Sequence, residues 1–153
     1  MSIHLRNGSP SDHAMMAEIW EAAWSEIYPG VNFSQRRTLV EEQLRKAETG
    51  RYRLRVAEMS GARVGFTLVE KHSGILEIIA VLPARWGDGV SKLLIEDAKS
   101  QSRGHLTLFV GQGNPRAVRF YHKEGFKIVG EGTSPYSGLP TFRMDWDGSP
   151  LMP

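Results

Sequence analysis

The chain is predicted to adopt an α/β fold built on a mixed sheet, and three features predict it. Apolar runs of strand length alternate with amphipathic stretches, three central runs are joined by connections too short for anything but antiparallel pairing, and a strand, helix, strand unit follows them. The resulting order is βααβββαβαββ. One domain over residues 1–147 accounts for all of it, with a short tail over 148–153 that contains Pro150 and Pro153. No internal repeat or low-complexity linker divides the chain.

A first strand precedes Ser11-Asp12, which supply a helix start ahead of Met15, Met16, Ile19, Ala22, Ala23 and Ile27 at helical spacing. Tyr28-Pro29-Gly30 breaks that pattern, which predicts a helix over 12–27. A second helix over 34–48 ends at Thr49-Gly50, with Leu39, Val40 and Leu44 on its buried side. Strands follow over 52–59 and 63–71, separated by Ser60-Gly61-Ala62, and Ser73-Gly74 makes a tight connection to a third over 75–82. Together these form an antiparallel meander. Val90, Leu93, Leu94 and Ala98 mark the buried stripe of a helix over 88–102, and a short buried strand over 106–110 then completes a parallel pair. A helix over 114–124, stopped by Gly125, leads to a strand over 127–130, a turn-rich loop over 132–140 and a final strand over 141–146.

Composition narrows the function. Of 153 residues, 41% are hydrophobic and 24% charged, as in soluble globular domains. No apolar run approaches the length that spans a bilayer and Met1 to Pro10 lack a signal-peptide core, so no membrane partner and a cytoplasmic location are expected. With 0 cysteines there is no disulfide, thiolate metal site or cysteine nucleophile, and no metal is expected. The net charge is only +2 and the basic residues are dispersed, so no nucleic-acid partner is expected; alternation of Arg51, Arg53 and Arg55 reads as the solvated face of a strand.

The densest chemical signal runs from Val81 to Leu94, where an apolar strand enters a glycine-rich turn that opens a helix. Helix-start amides have no partner within the helix, and glycines let several of them face one anion. A nucleoside-triphosphate loop would need Gly-Lys-Ser/Thr, and Ser91-Lys92 has the wrong order. A dinucleotide fingerprint belongs in an early βαβ unit, whereas this loop follows a meander. A nucleophile elbow would need glycine where Leu93 stands. Gly87 and Gly89 as a mere tight connection complete the alternatives.

Downstream, Asn114-Pro115-Arg116-Ala117-Val118-Arg119-Phe120-Tyr121 and His122-Lys123-Glu124-Gly125-Phe126 sharpen the choice. An apolar strand ending at Val81-Leu82-Pro83, a glycine-rich loop and an Asn-x-x-Ala-x-x-Phe-Tyr-x-x-x-Gly-Phe helix, in that order, resemble the GCN5-related N-acetyltransferase (GNAT) family over roughly residues 3 to 146. The resemblance implies a splayed sheet with a bulged strand ending at Val81, and acetyl-CoA as acetyl donor. By the same resemblance, amides of Trp86, Gly87, Asp88, Gly89, Val90 and Ser91 hold its pyrophosphate. Main-chain groups of Ala80, Val81 and Leu82 pair with its pantetheine arm, which mimics an added strand. Trp86 and Ser91 depart from the usual family residues at their positions. Asn114 matches the position that hydrogen-bonds the arm and also suits a helix N-cap; Tyr121 matches the tyrosine that protonates the departing thiolate.

Transfer to an amine requires that the nucleophile be neutral, and Glu77 is the candidate base, flanked by Leu76 and Ile78 and placed by alternation on the face of Ile79 and Val81. An edge or solvent-facing glutamate is the structural alternative. Acceptor recognition in the family falls to the first helices and the loop before the last strand, which nominates Trp24, Tyr28 and Tyr136, while Trp20 is read as core and His122 as a packing or surface residue. The expected activity is direct acetyl transfer to a primary amine of a small-molecule or amino-acid-like acceptor, by a monomer or a homodimer. A protein N-terminal or lysine acetyltransferase, and a non-catalytic acyl-CoA sensor, are the alternatives.

Overall fold

A computed structural model describes residues 2–148. The element order is the expected one: strands β1 (Ile3–Asn7), β2 (Tyr52–Met59), β3 (Ala62–Glu70), β4 (Ile75–Val81), β5 (His105–Gly111), β6 (Lys127–Thr133) and β7 (Pro140–Asp147), with helices α1 (His13–Ile27), α2 (Arg37–Arg45), α3 (Val90–Ser100) and α4 (Pro115–Lys123). Short 3₁₀ turns, which the sequence pattern does not separate from helix, flank α1 at Pro10–Asp12 and bracket α2 at Ser34–Arg36 and Lys46–Thr49. Residues 149–153 of the expected tail lie outside the described residues.

All seven strands form one sheet in the order β1-β2-β3-β4-β5-β7-β6. The meander β2-β3-β4 is antiparallel, and β4-α3-β5 supplies the parallel pair. The last strand inserts between β5 and β6, pairing antiparallel with both. The sheet is buried on two faces. One cluster joins Met16, Ile19 and Trp20 of α1 and Val40 and Leu44 of α2 to Leu54, Val56, Phe66, Leu68, Ile78 and Ala80 of the sheet. The opposite cluster joins Ile95 and Ala98 of α3 and Tyr121 of α4 to Leu76, Leu106, Leu108 and Met144.

Three expectations about faces are corrected. Leu39 and Leu93 are exposed; Gln43 and Ile95 take the buried places, because each helix turns its stripe to the layer it packs on rather than to its most apolar sum. The Arg51, Arg53 and Arg55 side of β2 is not simply solvated, because α3 lies over it. Arg55 forks onto Asp97 of α3 at 3.0 and 3.1 Å, and Arg53 Nη1 donates to Gln101 O at 3.4 Å.

The first strand and helix are locked by one carboxylate. Asp12, 1% exposed, accepts from Arg6 Nη1 and Nη2 at 2.9 and 2.8 Å, from the Ser9 amide at 2.9 Å and from Arg63 Nη1 of β3 at 3.2 Å. The Arg6 hydrogen bonds, against the opposing effect of burial, hold its pKa well below the ordinary carboxylate range. A depressed folded pKa contributes stability above the unfolded pKa near ~4 and loses it as pH falls through the folded value. Asp12→Asn is expected to cost ~1–3 kcal/mol in urea unfolding at pH 7, at the low end for a buried pair because both guanidiniums are about one-third exposed. The difference from wild type should shrink progressively below about pH 4.

Candidate active site

The site begins where two strands part. Antiparallel pairing with β3 continues along β4 to Val81, but the parallel pairing with β5 stops after Ile75↔Thr107 and Leu76↔Leu108. At that point the β3 register jumps from Leu68↔Ile78 to Val69↔Leu76, leaving Glu77 as an extra residue in β4. This is a β-bulge, which bends the strand and re-aims a side chain. Beyond it the β5-facing main-chain groups of β4 have no strand partner, so they border an opening through the sheet.

A cavity of about 640 Å³ occupies the opening and reaches both faces of the sheet. Trp20 and Trp24 of α1 line one side and Phe120 and Tyr121 of α4 the other, with Ala80, Val81, Phe109 and Asn114 between them. At its α3 end the wall is the glycine-rich turn. Gly87 and Gly89 have φ values of +90° and +89°, a left-handed conformation that favours glycine, and Gly89 is the residue from which α3 starts. No main-chain bond engages the amides of Gly87 and Gly89 among the described residues, and those of Val90, Ser91 and Lys92 are the unpartnered first turn of α3. The turn thus presents a row of unpartnered amides at a helix start, the geometry that suits an anion.

Not every expected residue presents a free amide to the cavity. The Leu82 amide is bonded to Val64 O at 2.8 Å and the Asp88 amide to Arg85 O at 3.2 Å, and neither residue lines the cavity. The Trp86 amide is spent on Pro83 O at 3.1 Å, and its indole Nε1 donates to Val81 O at 2.9 Å, bracing the end of β4. Arg116 stacks on the Trp86 ring at 5.2 Å. Arg85, Lys92 and Arg116 line this end of the cavity, a contribution missed in the sequence although all three lie within or beside the two motifs. Lys92 is paired with Glu124 at 3.1 Å and Glu96 at 3.6 Å and Arg85 stands 3.7 Å from Asp88, whereas Arg116 has no ion-pair partner among the described residues.

Asn114 lines the cavity and also caps α4, its Oδ1 accepting from the Ala117 amide at 3.3 Å. Both expected roles are therefore geometrically compatible, since the side-chain NH₂ has no partner among the described residues. Tyr121 packs edge-on against Phe120 and Phe126, and its hydroxyl has no protein hydrogen bond among the described residues. Burial pushes its phenol far above the ordinary value, which keeps it protonated at neutral pH. His122, next to it, is exposed and within hydrogen-bonding distance of Phe126 O at 3.1 Å, away from the site.

Glu77 departs from simple alternation. The bulge places it with Ile78 on the α1/α2 side, where its Oε2 accepts from the Tyr136 hydroxyl at 3.4 Å, while Ile79 packs on the opposite side. It is neither on the face of Val81 nor solvent-facing. Burial raises its pKa above the usual glutamate value, against the lowering by the Tyr136 bond. Tyr136 belongs to the loop between β6 and β7, which is closed on itself by Ser134 N to Leu139 O at 2.9 Å and Gly138 N to Ser134 O at 2.8 Å.

Of the α1 aromatics, Trp20 is in the core yet reaches the cavity, and Trp24 lines it. Tyr28 stacks on Trp24 at 5.6 Å but lies behind the wall, its hydroxyl accepting from the Gly113 amide at 3.1 Å. The turn from β5 to α4 is glycine for this reason: a Cβ at Gly111 would stand 2.4 Å from the Tyr28 hydroxyl oxygen, and one at Gly113 2.7 Å from the ring. Tyr28 thereby positions the approach to Asn114.

Against this geometry, comparison with known proteins gives one family. Residues 29–147 match the model of the acetyltransferase (GNAT) domain, and the chain belongs to that family; it is an acetyl-CoA-dependent N-acyltransferase. It is similar to the peptidyl-lysine N-acetyltransferase YiaC of Escherichia coli K12, with 27% identity over 142 residues, 93% of this chain and 95% of that protein. The peptidyl-lysine N-acetyltransferase YjaB of Salmonella typhimurium is 35% identical over 77 residues, about half of each chain. The apo solution structure of Escherichia coli YjaB superposes with a TM-score of 0.75 at 26% identity, covering 97% of this chain and 100% of that one. The PaiA N-acetyltransferase of Thermoplasma acidophilum, solved with coenzyme A, has the same fold, with a TM-score of 0.76 at 19% identity over 96% and 99% of the two chains.

The close approach of Tyr28 to the glycine turn is open to test. Gly111→Ala should destabilise the protein by ~1–3 kcal/mol through overpacking. Tyr28→Phe, which removes the oxygen in closest contact, should recover part of that loss in the double variant, as read from thermal unfolding of the four proteins.

Proposed function

We propose that the protein transfers acetyl from acetyl-CoA directly to the ε-amine of a lysine side chain. The observation that carries this reading is the cavity through the sheet, with a cationic, amide-lined end at α3 and a single half-buried carboxylate, Glu77, beside aromatic walls at its other end. The first end suits a polyanionic donor. The second suits a cation on an apolar stem, since Trp24 and Tyr136 accommodate methylenes and an ammonium gains from ring faces and from a carboxylate. The names of the two curated relatives support lysine over a small free amine.

Amides of Gly87, Gly89, Val90 and Ser91 would hold the pyrophosphate, and β5-facing main-chain groups at the end of β4 together with Asn114 would hold the pantetheine arm. When bound, acetyl-CoA supplies the acetyl group as an activated thioester. An amine arrives protonated, because the lysine pKa of ~10.4 lies well above neutrality, and attacks only after losing that proton. Glu77, as carboxylate, accepts it directly or through one water. Burial weakens Glu77 as an acid and so makes it a better base than an exposed glutamate. As the nitrogen bonds to the acetyl carbon and the carbon–sulfur bond breaks, the nitrogen gives up its second proton through water to the departing thiolate, which leaves as the thiol, while the neutral Tyr121 hydroxyl donates a hydrogen bond to the leaving sulfur. A phenol whose pKa lies above that of a thiol stabilises the thiolate without having to surrender its proton fully.

Tyr121→Phe is expected to lower kcat about 100-fold with KM for acetyl-CoA changed less than ~2-fold. Unchanged turnover would remove Tyr121 from the reaction. For Glu77, the sign is set by the carboxylate being the active form. The kcat/KM of wild type should rise with pH through an acid limb lying above the normal glutamate range, and Glu77→Gln should lose about 100-fold and that limb together. CoA release measured with an Nα-blocked lysine peptide, free lysine, a peptide with a free N-terminus and a polyamine decides the acceptor. Preference for the blocked lysine peptide supports the proposal. Preference for a free small amine returns the small-molecule reading, and CoA binding without turnover on any of the four would favour a sensor.

A further inference from the structure

A second cavity, of about 170 Å³, lies at the other end of α3, between its last turns and strands β2 and β3. Four permanent cations line it, Arg53, Arg55, Lys71 and Arg103, against one carboxylate, Asp97. That carboxylate is already matched. It accepts the bidentate fork of Arg55 and a hydrogen bond from Gln101 Nε2 at 3.0 Å. Arg53 makes only the long 3.4 Å contact to Gln101 O, and neither Lys71 nor Arg103 has an ion-pair partner among the described residues. Three cations are thus left converging on one concave surface without an anion.

The floor carries an independent anomaly. Thr67 of β3 lines the cavity, is 0% exposed, and its Oγ1 has no hydrogen-bond partner among the described residues. Buried hydroxyls are almost always satisfied, and an unsatisfied one at the bottom of a polar cavity marks the place of a missing acceptor or donor. Nothing in the acetyl-transfer site uses any of these groups. The cavity takes α3 residues Asp97 and Gln101, whereas the acetyl-CoA site takes Val90 and Ser91 from the opposite end of the same helix.

We propose that this cavity is a binding site for a small phosphate-bearing anion, separate from the acetyl-CoA site. Phosphate is favoured over a monocarboxylate because three unpaired cations call for more than one negative charge, and because Arg53 and Arg103 present planar forks that match phosphate oxygens. The space holds a phosphate group or a small phosphomonoester and excludes a nucleotide stretched along the surface. The carbonyl end of α3 works against an anion here, and the three cations, one of them Arg53 donating to Gln101 O, have to outweigh it. An occupant ties the last turn of α3 to β2 and β3, so its binding is read as stability of the folded state.

The experiment is thermal unfolding with coenzyme A saturating, so that the glycine-rich turn is already filled, in 10 mM orthophosphate or 10 mM β-glycerophosphate against chloride of equal ionic strength. Wild type should gain about 2–4 °C with at least one of the two, the expectation for a millimolar site in a domain of this size. The larger gain identifies the free ion or the organic ester as the better ligand. The Arg53→Gln, Lys71→Gln double variant should lose the gain. No gain over chloride in wild type, or an equal gain in the double variant, overturns the proposal. A ¹⁵N-amide titration of wild type provides a reading independent of the variants. Shifts at Arg53, Thr67 and Lys71 support the site, and shifts confined to residues 87–92 refute it.

Discussion

The structure depends on one interrupted interaction, the pairing of β4 with β5. It holds at Ile75 and Leu76, then fails as the bulge at Glu77 turns β4 away, and everything chemical is assembled around the failure. A closed parallel pair would satisfy its own main chain and leave no passage. An open one exposes amides and carbonyls that demand partners, and the protein cannot supply them from another strand. The opening is stabilised from its margins: Trp86 donates its indole N–H to Val81 O at the end of β4, and Tyr28 accepts from the Gly113 amide just past the end of β5. Two aromatic side chains thus brace the two strand ends at the opening.

That arrangement explains why the two halves of the site lie on different faces of the sheet. Tyr121 comes from α4, in the cluster shared with α3, whereas Glu77 and Tyr136 are on the side of α1 and α2. Only a hole through the sheet brings them to one cavity. The bulge therefore has two effects at once, ending the β4–β5 ladder and swinging the carboxylate across to the α1/α2 side.

Much of this was legible in the sequence. Periodicity gave the order of all eleven elements, and the meander followed by a strand, helix, strand unit gave the parallel pair, because connection length restricts strand direction. The glycine-rich turn was legible because Gly87 and Gly89 mark positive φ before a helix. What escaped depended on partners distant in the chain. Leu93 and Leu39 fit a helical stripe but face away, since the stripe is chosen by the opposing layer. The face of Glu77 was misread because a bulge has no period-two signature, and the role of Tyr28 required knowing that Gly111 and Gly113 lie 83 and 85 positions later against its ring. Nothing in the sequence pattern singled out Arg85, Lys92 and Arg116, which only the fold gathers at one end of a cavity.

Their gathering gives the cavity a polarity that the chemistry requires. The donor is polyanionic at one end and uncharged at its thioester, and an amine acceptor is cationic until the moment of attack. Exposed charges act over about a Debye length, ~8 Å at physiological salt, so under the proposed reading cations at the α3 end would draw the donor's phosphates to that end. Glu77 in turn is half-buried, with only the weak 3.4 Å bond to Tyr136, so its proton affinity stays raised and its attraction for an ammonium is poorly screened. Were Glu77 tightly paired with an arginine, as Asp12 is, it would be a stronger acid and a poorer base. The contrast between these two carboxylates, one held by Arg6 and Arg63 to fix a strand to a helix and the other left under-satisfied beside a passage, separates the residue that stabilises the fold from the one we propose exchanges a proton.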